Sequence, residues 1–353
     1  MAMEALPGWG MLLAAFAGGA FGAAVGPLQS FTLAGFVVVL GEVYALAHRT
    51  LGSAAIPVDI TGSVAFGVVL GPHIAFGGGV AAVAYASKQG YLEAEFEYHE
   101  AKHIARGLGS RPDVLAVGGV FGIVGYWVAT LSATVGLPTD PVALGVVLSA
   151  LVHRLVLGYD LIGAAPSRWF DMSPFERGER EPRDGTFTTD GGDEQFLVEP
   201  WLPYQYRWSH LTGLGAVVGA LGGYLAYLTG SAFLAFGISA VALAFLCAGA
   251  ADIPVTHHMS LPASTVVVAS VESTGPRTPA VVAEAMPLGE AVVLGAVFGV
   301  IGALVGEVAQ RVLYAHADTH LDPPAASIVV TSFLVGLLAL SGVLPSSAWI
   351  PLG

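Results

Sequence analysis

The chain has 353 residues, of which 55% are hydrophobic and only 11% are charged, with 26 acidic against 13 basic side chains. Soluble domains carry about 25% charged residues, so this composition excludes a disordered chain and an ordinary soluble enzyme and indicates a polytopic membrane protein. The net charge of −13 argues against a nucleic-acid partner, because an acidic surface repels phosphate backbones.

Eight apolar runs are long enough to cross a bilayer as helices, which takes about 20 mostly apolar residues. No basic segment precedes the first run, so we expect it to be retained as a span and not cleaved as a signal peptide. The predicted spans are residues 9–29, 31–48, 114–136, 142–163, 209–229, 231–251, 288–313 and 325–345.

Two more apolar stretches, 56–87 and 253–272, are interrupted by proline or glycine. Broken backbone at membrane depth is tolerated only where it is buried in protein or lines a cavity. We expect both stretches to be re-entrant and to return to the side that they left. Nearly all basic residues then face the cytoplasm, as do both termini, and only Arg311 lies near the other side. The alternative is ten spans with inverted halves.

Short sequence matches in the same order predict an all-α membrane protein built from two tandem repeats. The first repeat covers 1–163, with a polar cytoplasmic helix at 88–113; a charged connector covers 164–208, and the second repeat covers 209–353. Each repeat contains one re-entrant segment. The matches pair Val120–Gly125 with Val297–Gly302, Ile56–Val58 with Ile253–Val255, Asp140-Pro141 with Asp322-Pro323, His73 with His258, and Leu33-Ala34 with Leu234-Ala235.

Polar residues in the two interrupted segments are the first candidate site. A half-helix that starts inside the membrane directs free N–H groups and its positive end at its tip, which suits an anion or a polar solute. The pore-lining candidates there are His73, His257, His258 and Ser260. The alternative is a helix kink packed inside the bundle.

The segment Gly71-Pro72-His73-Ile74, before a glycine-rich helix, resembles the re-entrant loops of chloride channels. Its His-Ile pair before a half-helix is also similar to aquaporins. The aquaporin Asn-Pro-Ala triplet is absent, so neither resemblance assigns a role to any residue of this chain.

Two acidic residues within spans, Glu42 and Glu307, are candidate proton or cation sites. A carboxylate in a bilayer costs several kcal/mol unless it faces a cavity or a partner. Glu307 and Arg311 are four residues apart, so an ion pair along one helix is the structural alternative.

The run His99-Glu100-Ala101-Lys102-His103 is a literal H-E-x-x-H motif. On a helix, His99 and His103 would share a face and could hold zinc, with Glu100 as the general base, so the motif resembles zinc metalloproteases. Lys102 and the lack of a third-ligand motif depart from that family. A charged surface helix is the structural alternative.

A second histidine pair, His316 and His320, falls with Asp318 and Asp322 in the loop after the seventh predicted span, on the outer side. Two histidines and two carboxylates could bind a divalent cation. A short polar loop is the structural alternative.

A channel or transporter for a small ion or polar solute, with its pathway at the repeat interface, is the first-choice function. It needs no cofactor and no enzymatic activity, and we expect a homo-oligomer in the cell membrane. The alternatives are the zinc-dependent metalloprotease and a structural oligomer formed through glycine-rich helix faces. Abundant alanine, glycine and valine with few lysines resemble the composition of proteins from salt-loving archaea, which implies no function.

Overall fold

The computed structural model describes residues 8–51, 58–92, 96–166, 168–183, 194–272 and 275–353. Helices make up nearly all of its regular structure. Strands β1 (Arg180–Pro182) and β2 (Glu194–Phe196) form a small antiparallel pair, with Glu181 opposite Gln195. The prediction of an all-α protein is therefore confirmed.

The first half of the chain contains five apolar helices. Three begin at or next to a proline, which lacks the N–H that a first helical turn leaves unpaired. Gly26, with a φ of +104°, separates the first two. The helices are α1 (Trp9–Val25), α2 (Pro27–Leu51), α3 (Ala75–Lys88), α4 (Pro112–Thr134) and α5 (Pro141–Leu157), with a π-helical turn at Thr61–Ala65 and a 3-10 turn at Glu100–Lys102.

The second half has a similar series of apolar helices after a polar connector. Its second member is interrupted at Ala242 and forms two short helices. The helices are α6 (Ser173–Glu176) in the connector, then α7 (Trp208–Thr229), α8 (Leu234–Val241), α9 (Leu243–Cys247), α10 (His257–Ala269), α11 (Pro279–Ala285), α12 (Leu288–Leu313) and α13 (Pro323–Leu340).

Five helices are long and apolar enough to cross a membrane: Pro27–Arg49, Pro112–Thr134, Trp208–Thr229, Leu288–Leu313 and Pro323–Leu340. Three shorter apolar helices are Trp9–Val25, Pro141–Leu157 and Leu234–Cys247. These helices agree with the membrane protein that the composition predicts.

Polar segments gather at one end of the helices into a polar layer, which consists of residues 96–111, 168–183, 194–207 and 314–322. Lys102 and Glu199 form a buried ion pair within it, and His99 Nδ1 lies 3.0 Å from Glu199 Oε1. Arg180 pairs with Glu97 at 2.7 Å. These contacts join the two halves of the chain through their polar segments.

The first helices of the two halves run in opposite directions relative to the polar layer. Helix α1 ends at it, since Leu108 N–H donates to the Ala23 carbonyl at 3.1 Å. Helix α7 begins at it, because Trp208 stacks on Phe170 with ring centroids 6.5 Å apart. The start of α1 and the end of α7 therefore lie away from the layer.

The prediction that the loop of His316 and His320 lies opposite the connector is wrong. Asp318 lies 3.5 Å from His99, and His320 N–H donates to the Ala101 carbonyl. Arg311, predicted near the outer side, donates to the carbonyls of Phe170 and Tyr206. Helix α12 therefore ends at the polar layer, with the connector.

The two interrupted segments also differ from the prediction, because each runs from one end of the helix bundle to the other and does not turn back. Thr61 bonds Glu42, far along α2 from the polar layer, whereas Lys88 at the end of α3 bonds the Gly158 carbonyl next to that layer. The second segment starts where Gln205 bonds Val255 and ends near the far end of the bundle, where Ser346 N–H donates to Ala269.

The predicted polar helix at 88–113 is not formed among the described residues between Gln89 and Arg111. That stretch contains only the 3-10 turn Glu100–Lys102, and its backbone bonds other segments instead: Leu28 N–H donates to the Ile104 carbonyl at 3.1 Å. Contacts to α1 and α2 have replaced the local hydrogen bonds that a helix needs.

Close helix packing relies on glycine in both halves. A Cβ at Gly19 would overlap the backbone of Gly118 and Gly122, and a Cβ at Gly219 would overlap that of Gly295 and Gly299. Small residues allow backbones to approach in this way in membrane helices. The pairs α1–α4 and α7–α12 are thereby fixed, and their glycine surfaces are buried within the chain.

Candidate functional site

Two buried half-helices lie at the centre of the molecule. All thirteen residues of α10 are buried, as are nearly all of α3. Gly22 of α1 packs on the Ala75 backbone at the start of α3, and Gly222 of α7 packs on the Ser260 backbone at the start of α10. Neither half-helix has a side-chain cap; backbone carbonyls accept N–H groups at both starts instead, with Ala75 N–H donating to Gly71 and Ser260 N–H donating to Thr256.

A cavity of about 150 Å³ lies beside these helix starts, between the two halves of the chain. Residues at sequence positions that match between the halves line it, including Asp140 with Asp322 and Ala143 with Ala325. The wall is almost wholly apolar, with phenylalanine from both halves. The cavity is therefore common to the two halves and belongs to neither alone.

Tryptophans line the cavity near its two ends. Trp201 lies in the polar layer, and its backbone N–H donates to Gln310 at 3.1 Å. Trp349 lies toward the far end, where its indole N–H donates to Thr265 Oγ1 at 3.0 Å. Each tryptophan lies in the segment that follows the last apolar helix of its half.

The two cavity aspartates cap helices. Asp140 Oδ1 accepts the N–H groups of Val142 and Ala143 at the start of α5. Asp322 Oδ2 accepts the N–H of Ala325 at the start of α13. A carboxylate at a helix N-terminus is stabilised by the N–H groups and by the helix dipole, which allows a charge to be held at a mostly apolar wall.

Of the predicted pore-lining residues, His257 alone lines this cavity. Its ring lies 4.7 Å from that of Phe31, and its Nδ1 is buried without a hydrogen-bond partner in the described part of the chain. His258 packs against Trp201 instead, at 6.4 Å between ring centroids. Ser260 Oγ bonds Ser239 Oγ at 3.0 Å. Of these residues, only His257 therefore lies at the wall of the central cavity.

His73 lies at the start of the first half-helix but lines a separate groove. Its carbonyl packs against Gly125 of α4 and its Cβ against Gly145 of α5. The groove also contains Tyr126 and Thr130 of α4. The His258 carbonyl packs on Gly302 in the same manner. His73 and His258 therefore correspond in how their backbones pack against a glycine, and not in what their side chains contact.

Glu42 is buried and serves as an acceptor for two hydroxyls. Thr61 Oγ1 donates to its Oε1 at 2.8 Å, and Ser231 Oγ donates to its Oε2 at 2.6 Å. The carboxylate therefore joins α2, the first interrupted segment and the start of α8. It lies outside the cavity wall.

Glu307 is paired, as its spacing allows. Arg311 Nε donates to Glu307 Oε1, and Gln310 donates to the same oxygen at 3.1 Å. Arg311 in turn holds carbonyls of the polar layer. Glu307 therefore forms an ion pair along its own helix, which was the structural alternative to a proton or cation site.

The H-E-x-x-H motif forms only a single 3-10 turn and no α-helix, so the predicted shared face of His99 and His103 does not form. His99 has an extended conformation and lies against Glu199 and Gln195, whereas His103 stacks on Phe96 at 4.4 Å. Glu100 lies 3.9 Å from Arg183. Among the described residues, no three His, Cys, Asp or Glu side chains are placed to hold a metal ion.

The second histidine pair is also divided. His316 lies 3.2 Å from the Trp169 carbonyl at the surface of the polar layer. His320 is buried, 3.4 Å from Asp322 and with its ring edge toward Phe76. The two imidazoles therefore contact different partners.

Comparison with known proteins gives a family but no activity. A family model described as a family of unknown function, DUF7973, matches residues 1–353. The chain belongs to this family. No curated protein and no solved structure matches the chain. Its function has to be inferred from the geometry above.

Sequence reasoning missed Asp140 and the two tryptophans of the cavity as site residues, and it named Asp322 only as a possible cation ligand beside the second histidine pair. The Asp-Pro pairs at 140 and 322 did carry a signal, since they match between halves and precede apolar helices. The signal indicates a helix cap, and nothing in the spacing reveals that both caps lie at one cavity. Trp201-Leu202-Pro203 and Trp349-Ile350-Pro351 are similar tripeptides, a match between the halves that sequence reasoning did not use.

Proposed function

We propose that the protein is a channel or transporter that carries a small solute across the cell membrane through the cavity between its two halves. The supporting observation is the cavity itself, which matched positions such as Asp140 and Asp322 line from both sides. Binding sites in repeat transporters lie at the repeat interface, next to interrupted helices. The starts of α3 and α10 are such interruptions.

The two halves, in this proposal, are inverted repeats with five crossings each. Their matching contacts support duplication: Gly125 on the His73 carbonyl and Gly302 on the His258 carbonyl, and Gly22 and Gly222 on the half-helix starts. An odd number of crossings reverses the second copy, which agrees with the opposite directions of α1 and α7. This arrangement replaces eight spans with ten.

The polar layer lies in the cytoplasm in this proposal. Of the thirteen basic residues, Arg49 and Arg277 lie at the far end of the bundle, bonded to Thr229 and Ser346, and the other eleven lie at or next to the polar layer. Positively charged loops stay inside. The described ends of the chain then lie outside, opposite to the predicted orientation.

The two other candidate functions gain no support from the described contacts. A metalloprotease needs His99 and His103 on one helix face, which the polar layer does not provide. The glycine surfaces proposed for oligomer contacts are used between α7 and α12 of one chain. Homo-oligomer formation stays a prediction.

A flux assay tests the proposal. The purified chain is reconstituted into liposomes, and uptake is measured for small solutes of positive, negative and zero charge. We expect uptake of at least one above that of protein-free liposomes. Ala325→Leu, which fills the cavity, should reduce that uptake at least tenfold.

Ala17→Leu is the matched control, because Ala17 is exposed on α1 and its enlargement leaves the cavity unchanged. Its uptake should equal that of the unmodified chain. Absence of uptake for every solute, or equal uptake by the Ala325→Leu and unmodified proteins, would contradict transport through this cavity.

A further inference from the structure

The wall of the central cavity is aromatic to an unusual degree. Five phenylalanines and two tryptophans line it, and Phe31, Phe76 and Phe236 pack with one another at ring-centroid distances of 6.0 Å from Phe31 to each of the others. Aromatic faces attract cations through the ring quadrupole, most strongly where water is excluded. The wall is therefore suited to a weakly hydrated cation or to a neutral apolar molecule.

The charged residues of the wall favour a cation over a neutral apolar molecule as the occupant. Asp140 and Asp322 are present, and no lysine or arginine lies among the lining residues. Oδ1 of Asp140 accepts both capping N–H groups, so the second oxygen, Oδ2, is not needed for the cap. Both oxygens of Asp322 have partners: Oδ2 accepts the N–H of Ala325, and Oδ1 lies 3.4 Å from His320 Nε2. Asp140 is thus the carboxylate best placed to meet a ligand.

Helix dipoles offset only part of this negative charge. A helix N-terminus is equivalent to about half a positive charge, and its effect falls off within one turn, whereas a carboxylate carries a full negative charge. An anion in this cavity would meet two carboxylates and no basic side chain, so it is disfavoured even with uncapped half-helix ends nearby.

The imidazole ring of His257 lies at the same wall. The residue is 5% exposed, its ring lies between Phe31 and Phe236, and its Nδ1 has no hydrogen-bond partner among the described residues. The imidazole is therefore a further ring of the aromatic wall, and its buried Nδ1 is not exposed to the cavity.

We propose that the cavity binds a small organic cation, an ammonium group that carries methyl or other short alkyl substituents. Its charge would face Asp140, and its substituents would contact the aromatic wall. A bare metal cation is disfavoured because an apolar wall does not replace its hydration shell. A cavity of about 150 Å³ accommodates a benzene-sized molecule, which limits the cation to roughly six to eight non-hydrogen atoms.

This inference deepens the proposed transport function and names its substrate class. Binding to the full-length protein in detergent tests it independently of flux. The probes are tetramethylammonium, tert-butanol and pivalate, which have similar shapes and carry charges of plus one, zero and minus one. Calorimetric titration should show tetramethylammonium binding at least tenfold more tightly than tert-butanol, with no pivalate binding.

Asp140→Asn removes the charge and keeps a side chain that caps helices well, so the fold should be retained. Its affinity for tetramethylammonium should fall at least tenfold. Asp113→Asn, near the start of α4 and outside the cavity, is the matched control and should bind as the unmodified protein does.

The inference is overturned if no probe binds, if tert-butanol or pivalate binds as tightly as tetramethylammonium, or if Asp140→Asn leaves the affinity unchanged. The charge series on the unmodified protein decides the matter even if the variant fails to fold. Binding without flux of any solute would contradict transport alone, and flux without cation binding would contradict this inference alone.

Discussion

The backbone carbonyl of His258 packs directly against Gly302, where even a Cβ would overlap the oxygen. The carbonyl of His73 lies against Gly125 in the same way, at the start of the other half-helix. Each half-helix is thus held by a glycine on the long helix behind it. The position of the cavity depends on these two contacts, because they set how deeply α3 and α10 start within the bundle.

Gly302→Ala should destabilise the protein. Overpacking of a filled interior costs about 1–3 kcal/mol, and here the obstacle is backbone, which cannot move aside as a side chain does. We expect the melting temperature in detergent to fall by several degrees. Gly289→Ala on the same helix should have little effect, since nothing lies within 4 Å of a Cβ there. Equal melting temperatures for the two variants would refute the packing argument.

Glu42→Ala should also lower stability, for a different reason. The change removes the acceptor of two buried hydroxyls, Thr61 Oγ1 and Ser231 Oγ, and each unsatisfied group costs about 1–3 kcal/mol. Glu42→Gln keeps one acceptor oxygen and should cost less. Thermal unfolding gives the comparison, with Glu290→Ala as an exposed control. The account fails if Glu42→Ala is as stable as that control.

The Lys102–Glu199 pair should make the stability of the polar layer depend on acid pH. Burial alone would raise the pKa of Glu199, but the Lys102 ammonium and the His99 hydrogen bond lower it below its ordinary value of 4.5. A lowered carboxyl pKa gives stability that is present above pH 4.5 and is lost as the pH falls through the folded-state pKa.

Glu199→Gln should therefore cost about 3 kcal/mol near pH 7 and progressively less below pH 4.5, because breaking a buried pair leaves the ammonium unpaired. Melting temperatures of both proteins from pH 7 down to about pH 2 measure this, because the change occurs below pH 4.5. Glu97→Gln, in a surface pair with Arg180, should show a much smaller difference. A pH-independent gap for Glu199→Gln would count against the pair as its cause.

Much of the architecture is readable from the sequence, because apolar length and glycine or proline interruptions report directly on membrane helices. Short residue matches between the halves, a separate signal, predicted the pairing of His73 with His258. The direction of each interrupted segment was wrong, since hydropathy counts apolar residues and does not show on which side a broken segment emerges.

The site was harder to predict, because its chemistry depends on contacts between distant segments. His99 and His103 form a motif only if the chain there is helical, and the bonds of that segment to α2 and to Glu199 prevent it. Asp140 was recognisable as a helix cap. Its place opposite Asp322 at one cavity follows from the opposite directions of the two halves, which no local pattern encodes.

The opposite orientation of the two halves is the central claim, and single-cysteine labelling tests it most directly. In a Cys247→Ser background, cysteine replaces Ser110 in the polar layer or Ser341 at the far end of α13, both exposed. Cells are treated with a membrane-impermeant maleimide. Ten crossings with inverted halves predict that Ser341→Cys is labelled on intact cells and Ser110→Cys only after permeabilisation. Eight spans with re-entrant segments place both residues inside, so labelling of both only after permeabilisation would contradict the account.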